Sequence, residues 1–255
     1  RVVQKGVLKI GFLGFAEWGF GVATQEGQIG FAWVNHPEVN LIVSKARQEV
    51  HFLVVQVHAG VEETEIPLPE WRKRYGELLA AGADAVVAHH PHTPQGWEVI
   101  DGKPVFYSLG NFYMEPRFDH PRWNKSYGVI LKFLEGQAVK FEILPLERKG
   151  PQVGLSTDAA FKSELMALSE ALKSPAYEQK LDSMIQFLWR DRYEDYYFQV
   201  VDQRSGKISI KKWIKYSLRW LFRRSNAFSQ AFLIHNFKIE SHRWSILRAI
   251  DLFKL

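Results

Sequence analysis

Short apolar runs alternate with helical periodicities through the first 90 residues of the chain. Three continuous apolar runs of strand length predict buried strands: residues 7–15, 52–57 and 85–87. Between them, apolar residues recur at helical spacing over 39–50, and a second helix is predicted over 70–81, ended by Gly82. This strand–helix–strand–helix–strand order predicts parallel neighbouring strands joined by right-handed crossovers.

Further along the chain, the pattern changes to hairpins and then to helices. Asp101-Gly102 and Glu135-Gly136 each separate two strand-like runs, which predicts two β-hairpins with tight turns. From Ser156 or Thr157, either of which can cap a helix, the apolar spacing becomes helical. The apolar residues of that first helix are Phe161, Leu165, Leu168 and Leu172.

The chain is therefore predicted to contain half of a layered, mixed α/β domain over residues 1–150 and an all-α region over residues 151–255. A hydrophobic content of 46% is ample for a packed core. The sequence has no cysteine, which excludes disulfides and thiolate metal sites. No uninterrupted apolar stretch approaches the roughly 18 residues of a membrane-spanning helix.

Positive charge is concentrated near the carboxyl end. Residues 203–255 hold 12 lysines and arginines against 2 acidic residues. Within them, residues 207–224 predict a basic amphipathic helix that can lie on an anionic membrane or bind a polyanion. Alternatively, its apolar face packs on the main domain and leaves an ordinary basic surface. We expect no nucleic-acid binding, because no recognised binding motif accompanies the charge.

Histidines cluster where two of the predicted strands end. His58 follows the second strand, and His89, His90 and His92 follow the third within four positions. Because the carboxyl ends of parallel strands meet at one sheet edge, we expect the His58 ring within about 10 Å of the His90 and His92 rings. Clustered imidazoles suit Zn²⁺ or Mn²⁺, so a metal site is favoured over a structural or catalytic-base role. The remaining histidines are interpreted as structural: His36, His51, His120, His235 and His242.

Three segments of the chain resemble the bacterial capsule-synthesis (CapA-like, poly-γ-glutamate synthesis) family. They read HAGVE from His58, GADAVVAHHPH from Gly82 and GKPVFYSLGNF from Gly102. The family patterns HWG-x-E, GAD-x-(V/I)-(V/I)-GHHPH and GKP-(V/I)-x-YSLGNF are matched in order and spacing. Ala59 and Ala88 replace the family's tryptophan and glycine. The resemblance covers roughly residues 5–145 and implies a calcineurin-like metallophosphoesterase fold.

The resemblance implies metal ligands at His58, His90 and His92. Pro91 is expected to fix an extended backbone, so that His90 and His92 project to the same side. The implied cofactor is a divalent metal, in a dinuclear centre of Mn, Zn or Fe.

Three further residues match family positions. His89 either ligates the metal as well or protonates a leaving group as general acid. Glu62 is expected to orient an imidazole, and the alternative is a solvated loop charge. Asn111 is expected to position substrate or a ligand, and the alternative is a turn asparagine bonded to its own backbone. Ser108 is not expected to act as a nucleophile, because no base and orienting residue accompany it.

The implied metal centre is incomplete in this sequence. In such proteins it also draws on Gly-Asp, Asn-Leu-Glu and Asn-Asn-His motifs of an earlier half-domain, and none of these occurs here. We therefore expect either a carboxyl-terminal fragment of that domain or a protein with half of the metal site.

The resemblance implies a metal-dependent, hydrolase-like protein of capsule or poly-γ-glutamate synthesis at the cell envelope. The expected substrate is an anionic polymer or a phosphoester, and the fold alone does not decide between them. The alternative is a non-catalytic scaffold of the same fold that binds an anionic polymer, a membrane surface or a partner synthase.

Overall fold

The computed structural model describes residues 1–19, 21–23, 27–115, 122–193, 214 and 237–253. This part of the chain divides into two compact units, Arg1–Lys180 and Leu181–Leu255. The predicted basic helix over 207–224 lies outside the described residues apart from Ile214. Among the described residues, no helix combines enough length and hydrophobicity to cross a bilayer.

A six-stranded mixed sheet forms the core of the first unit. In chain order its strands are β1 (Val2–Lys5), β2 (Leu8–Ala16), β3 (Phe52–His58), β4 (Ala85–His89), β5 (Trp97–Ile100) and β6 (Lys103–Phe106). The spatial order is β1-β2-β3-β4-β6-β5, with β2, β3, β4 and β6 parallel. Strands β1 and β5 are antiparallel to their neighbours. The predicted parallel sheet, the first hairpin and the α/β class are confirmed.

Two helices make the crossovers between the parallel strands. Helix α1 (Val39–Gln48) connects β2 to β3, and α2 (Pro69–Ala80) connects β3 to β4. Helix α2 begins at Pro69, since proline is tolerated where a helix has no internal hydrogen bond to lose. Gly82 follows it with a φ of 127°, a left-handed conformation that favours glycine and ends the helix as predicted.

A second, antiparallel sheet packs against the first. Its strands are β7 (Lys125–Lys132), β8 (Lys140–Lys149) and β9 (Gln152–Leu155). The β7–β8 hairpin is as predicted, whereas β9 was not predicted. A shared core joins the two sheets and the following helix, with Val54, Phe106, Tyr127 and Phe161 buried and Phe141 packed against them.

Helix α3 (Ala159–Leu172) extends the first unit beyond residue 150. Its predicted apolar face is buried, but the predicted cap at Ser156 or Thr157 is wrong. The Asp158 carboxylate accepts hydrogen bonds from the backbone N–H of Ala160 at 2.9 Å and of Phe161 at 3.2 Å. Asp158 therefore satisfies the free N–H groups of the first turn, as a capping residue does.

Helix α4 (Ala176–Leu188) follows, and a π-helical segment (Trp189–Tyr193) continues it. Helix α5 (Glu240–Phe253) belongs to the second unit. There, the Tyr193 hydroxyl lies 2.5 Å from Nδ1 of His242, which is consistent with the structural interpretation of that histidine.

Candidate metal centre

The carboxyl ends of β3 and β4 bring the histidines to one edge of the parallel sheet. The register between these strands places His58 opposite His89. The register between β2 and β3 places Ala16 opposite His58, so that Glu17 follows at the same edge. The topology of parallel strands, rather than proximity in the sequence, therefore assembles the site.

Three of the four imidazoles converge. Nδ1 of His90 lies 3.1 Å from Nε2 of His58, and the two ring centroids are 4.7 Å apart. The ring centroids of His90 and His92 are 5.7 Å apart. The expected proximity of these rings is confirmed.

Glu62 lies near enough to two of the histidines to be a metal ligand itself. Glu62, His90 and His92 each offer one ligand atom, and these atoms lie within 4.8 Å of one another. Within the described ranges, this is the one group of three or more such residues, and it is sized for a single ion. Imidazole and carboxylate donors suit zinc and manganese, so these side chains fit a divalent cation.

The spacing of the His58–His90 pair also fits. Two imidazole nitrogens that share one ion at bond lengths of about 2 Å are separated by about 3 Å. The observed nitrogen separation of 3.1 Å matches this value, and it equally fits a hydrogen bond between the two rings when no ion is bound. His58 is therefore a candidate ligand beside His90, outside the three residues whose ligand atoms all lie within 4.8 Å of one another.

The backbone around Pro91 differs from the extended conformation that was predicted. His90 has a φ of 110° and His92 a φ of 62°, both in the left-handed region that non-glycine residues rarely adopt. The backbone N–H of Glu63 donates to the carbonyl of Pro91 at 2.7 Å and helps to hold this conformation. Gly60 packs closely here, since a Cβ on it would lie 2.9 Å from Cγ of Pro91. Such strain persists only where the surroundings impose it, and it clusters at functional sites.

Asn111 contacts a histidine instead of its own backbone. Its Oδ1 lies 2.8 Å from Nδ1 of His92, so Nδ1 carries the proton and donates it. This tautomer leaves Nε2 of His92 with a lone pair for a ligand bond. Nδ2 of Asn111 is buried and has no hydrogen-bond partner within the described part of the chain. The structure therefore places Asn111 where it can orient His92.

Glu17 is a candidate that the sequence reasoning missed. It is only 8% exposed, and its Oε1 accepts a hydrogen bond from the backbone N–H of Gly60 at 3.1 Å. The same oxygen lies 3.9 Å from Nε2 of His90. Glu17 falls in a glycine-rich stretch without periodicity, but its place directly after β2 was a usable signal.

Burial and a neighbouring imidazole lower the pKa of two of the histidines, which favours their neutral form. Desolvation and the nearby His92 ring lower the pKa of His58, while Glu62 opposes the shift. Desolvation, followed by the effect of His58, lowers the pKa of His89. A neutral imidazole is the form that binds a metal or accepts a proton.

Other polar residues keep local roles. Nδ1 of His51 accepts a hydrogen bond from the backbone N–H of Lys9 at 2.9 Å, and the Ser108 hydroxyl accepts one from Gly110 at 3.3 Å. Both arrangements agree with the structural roles expected for these residues. His120 and His235 lie outside the described residues.

Comparison with known proteins shows which family this segment of the chain resembles. Residues 2–116, which include every candidate residue named above, match the family described as bacterial capsule synthesis protein PGA_cap. This match covers less than half of the chain, so over residues 2–116 the chain is similar to the CapA-like bacterial capsule synthesis family. The six-stranded mixed sheet and its crossover helices confirm the α/β fold expected from the resemblance.

Two relatives of this chain are named for biosynthesis. The chain is 29% identical over 183 residues to PGA biosynthesis protein CapA of Bacillus subtilis (strain 168), and the match covers 71% of this chain and 44% of that protein. It is 35% identical over 98 residues to capsule biosynthesis protein CapA of Bacillus anthracis, covering 37% of this chain and 24% of that protein. The chain thus spans less than half the length of these relatives.

Proposed function

We propose that this CapA-like chain carries a metal-dependent, hydrolase-like centre that acts in capsule or poly-γ-glutamate biosynthesis at the cell envelope. One observation carries the proposal: Glu62, His90 and His92 offer ligand atoms within 4.8 Å of one another, inside the segment that matches the family. The names of the relatives supply the biological context, and the donor set supplies the chemistry.

In this proposal His58, His90, His92 and Glu62 hold the ion. When bound, a divalent cation supplies Lewis-acid chemistry that polarises a phosphoryl or carbonyl oxygen. Asn111 fixes the tautomer of His92, since its Oδ1 lies 2.8 Å from Nδ1. A dinuclear centre stays a prediction from the family resemblance, because the described donors form a group for one ion.

His89 is the candidate for proton transfer. It faces His58 across paired strands and lines a neighbouring cavity. Its lowered pKa leaves the imidazole neutral near neutral pH, so the ring is suited to accept a proton. Once it has accepted a proton, His89 can donate that proton to a leaving group as a general acid.

The proposed substrate is an anionic polymer or a phosphoester, because a bound cation attracts negative charge to this sheet edge.

Residues 207–224 are proposed to add a peripheral membrane contact. That contact is tested by co-sedimentation with anionic vesicles. Binding should weaken when Lys211, Lys212 and Lys215 are replaced by glutamate, and unchanged binding would remove this part of the proposal.

The enzyme hypothesis is tested by turnover of an activated phosphodiester and of γ-linked polyglutamate, with and without added Mn²⁺ or Zn²⁺. Wild type, His92→Ala and a control, His36→Ala, are compared. His36 is exposed, and its Nδ1 accepts a backbone hydrogen bond from Glu38 at 3.3 Å, outside the cluster. Metal-dependent activity should be lost only in His92→Ala. Equal activity in wild type and His92→Ala would refute the enzyme hypothesis and favour a non-catalytic scaffold.

A further inference from the structure

A cavity of about 360 Å³ opens beside the candidate metal centre. Its walls include Gly14 of β2, Gln56 and His58 of β3, His89 of β4 and the ring of Phe31. No lysine, arginine, aspartate or glutamate is among the described residues that line it. Its volume falls within the range typical of small-molecule sites, and His58 connects it to the metal centre.

Gln56 is an unusual residue for its position. The four preceding residues of β3 are buried, whereas Gln56 is exposed in the middle of a parallel sheet. Its carboxamide has no hydrogen-bond partner among the residues that the structure describes. A carboxamide offers both a donor and an acceptor, so Gln56 presents an unused polar contact to whatever enters the cavity.

Gly14 keeps the space in front of Gln56 open. The two residues are directly opposite each other in the β2–β3 register. A Cβ built on Gly14 meets no atom within 4 Å, so a side chain here would enter the cavity instead of clashing with the protein. The absent side chain is therefore part of what makes the cavity accessible.

We propose that this cavity binds the uncharged, amide-containing part of a polymer chain whose anionic groups face the metal centre. The inference rests on the proposed function. Anionic groups are not expected in the cavity itself, since its described walls carry no lysine or arginine to pair with them. Mostly apolar walls suit methylene groups, and the single carboxamide of Gln56 suits one amide.

The proposal is tested by calorimetric binding of a short γ-linked glutamate oligomer to the full chain. The variants are Gly14→Leu, which fills the cavity, and Gln56→Leu, which removes the amide contact while retaining an apolar side chain. Gly154→Leu in β9 is the matched control, because a Cβ there also meets no atom within 4 Å. We expect affinity to fall by about tenfold or more in the first two variants and to stay unchanged in the control.

Zinc binding is measured in parallel and separates this proposal from the proposed function. Equal oligomer affinity in wild type and Gly14→Leu, with normal zinc binding, would overturn the cavity proposal and leave the metal centre standing. Equally strong competition by a glycerol-phosphate oligomer would overturn the amide assignment. Failure of the wild type to bind zinc would count against the metal centre, whereas a Gly14-dependent oligomer affinity in that protein would still support the cavity.

Discussion

Replacing Asn111 with leucine should separate metal affinity from stability. In the wild type, Oδ1 of Asn111 accepts a hydrogen bond from Nδ1 of His92 at 2.8 Å. Leucine has a similar volume but cannot accept this bond, so His92 would no longer be held in the tautomer that leaves Nε2 free. We therefore expect metal affinity to fall, since an imidazole that binds a metal depends on the partner of its other nitrogen.

The expected changes in metal affinity and in stability differ in size. Loss of an orienting partner typically weakens metal binding by about 10- to 100-fold, which corresponds to about 1.4–2.7 kcal/mol. Loss of one neutral hydrogen bond costs about 0.5–1.5 kcal/mol of stability. However, leucine also removes the buried Nδ2 that has no partner within the described residues. The free energy of unfolding of the metal-free protein should therefore change by less than about 1 kcal/mol.

The assay is a competitive zinc titration against a chromophoric chelator near neutral pH, combined with urea unfolding of the metal-free protein. Asn111→Asp is the control, because it keeps an oxygen acceptor for His92 and should retain affinity within a few fold. Wild-type zinc affinity in Asn111→Leu would refute the orienting role. A large loss of stability with unchanged affinity would instead identify Asn111 as a structural residue.

Three further predictions address the fold, the missed carboxylate and pH. Arg72 makes a bidentate pair with Glu98, at 3.0 and 2.6 Å, so Arg72→Met should lower the free energy of unfolding by about 3 kcal/mol in urea. The double variant with Glu98→Gln should lose less, and an equal or larger loss would count against an ion-pair origin. Glu17→Gln should weaken zinc binding by about tenfold with unchanged circular dichroism, and wild-type affinity would exclude a positioning role. The native pKa values of His58 and His89 lie below 6.5, the value for an unperturbed histidine. As the pH falls below 6.5, the unfolded chain therefore binds more protons than the folded chain. The metal-free protein should therefore lose stability on acidification below pH 6.5, with a shallower slope in His89→Gln, and an unchanged slope would contradict this origin.

Much of the α/β fold could be predicted because its strands are continuous apolar runs. The strand ending at His58 and the one leading to His89 were both found, as was the hairpin at Asp101-Gly102. Strand β9 was not, since its four residues contain a glycine and carry no periodicity of their own. The cap at Asp158 was missed because three successive polar residues all have capping side chains, and local sequence does not choose among them.

The histidines could be placed because strand ends in a parallel sheet share an edge. The same rule applies to Glu17, which directly follows β2, but its glycine-rich surroundings were interpreted only as a loop. The left-handed backbone at His90 and His92 was not predictable from the residue types, since it depends on contacts with the loop that contains Gly60. The approach of Glu62 to ligand distance depends on the same tertiary packing.

X-ray absorption spectroscopy of the zinc-loaded chain tests the central claim most directly. We predict imidazole scattering at about 2 Å from the metal, which decreases in His90→Ala and in His92→Ala but not in His36→Ala. A spectrum that contains only oxygen ligands, or that is identical in all four proteins, would contradict the convergence of these histidines on one ion.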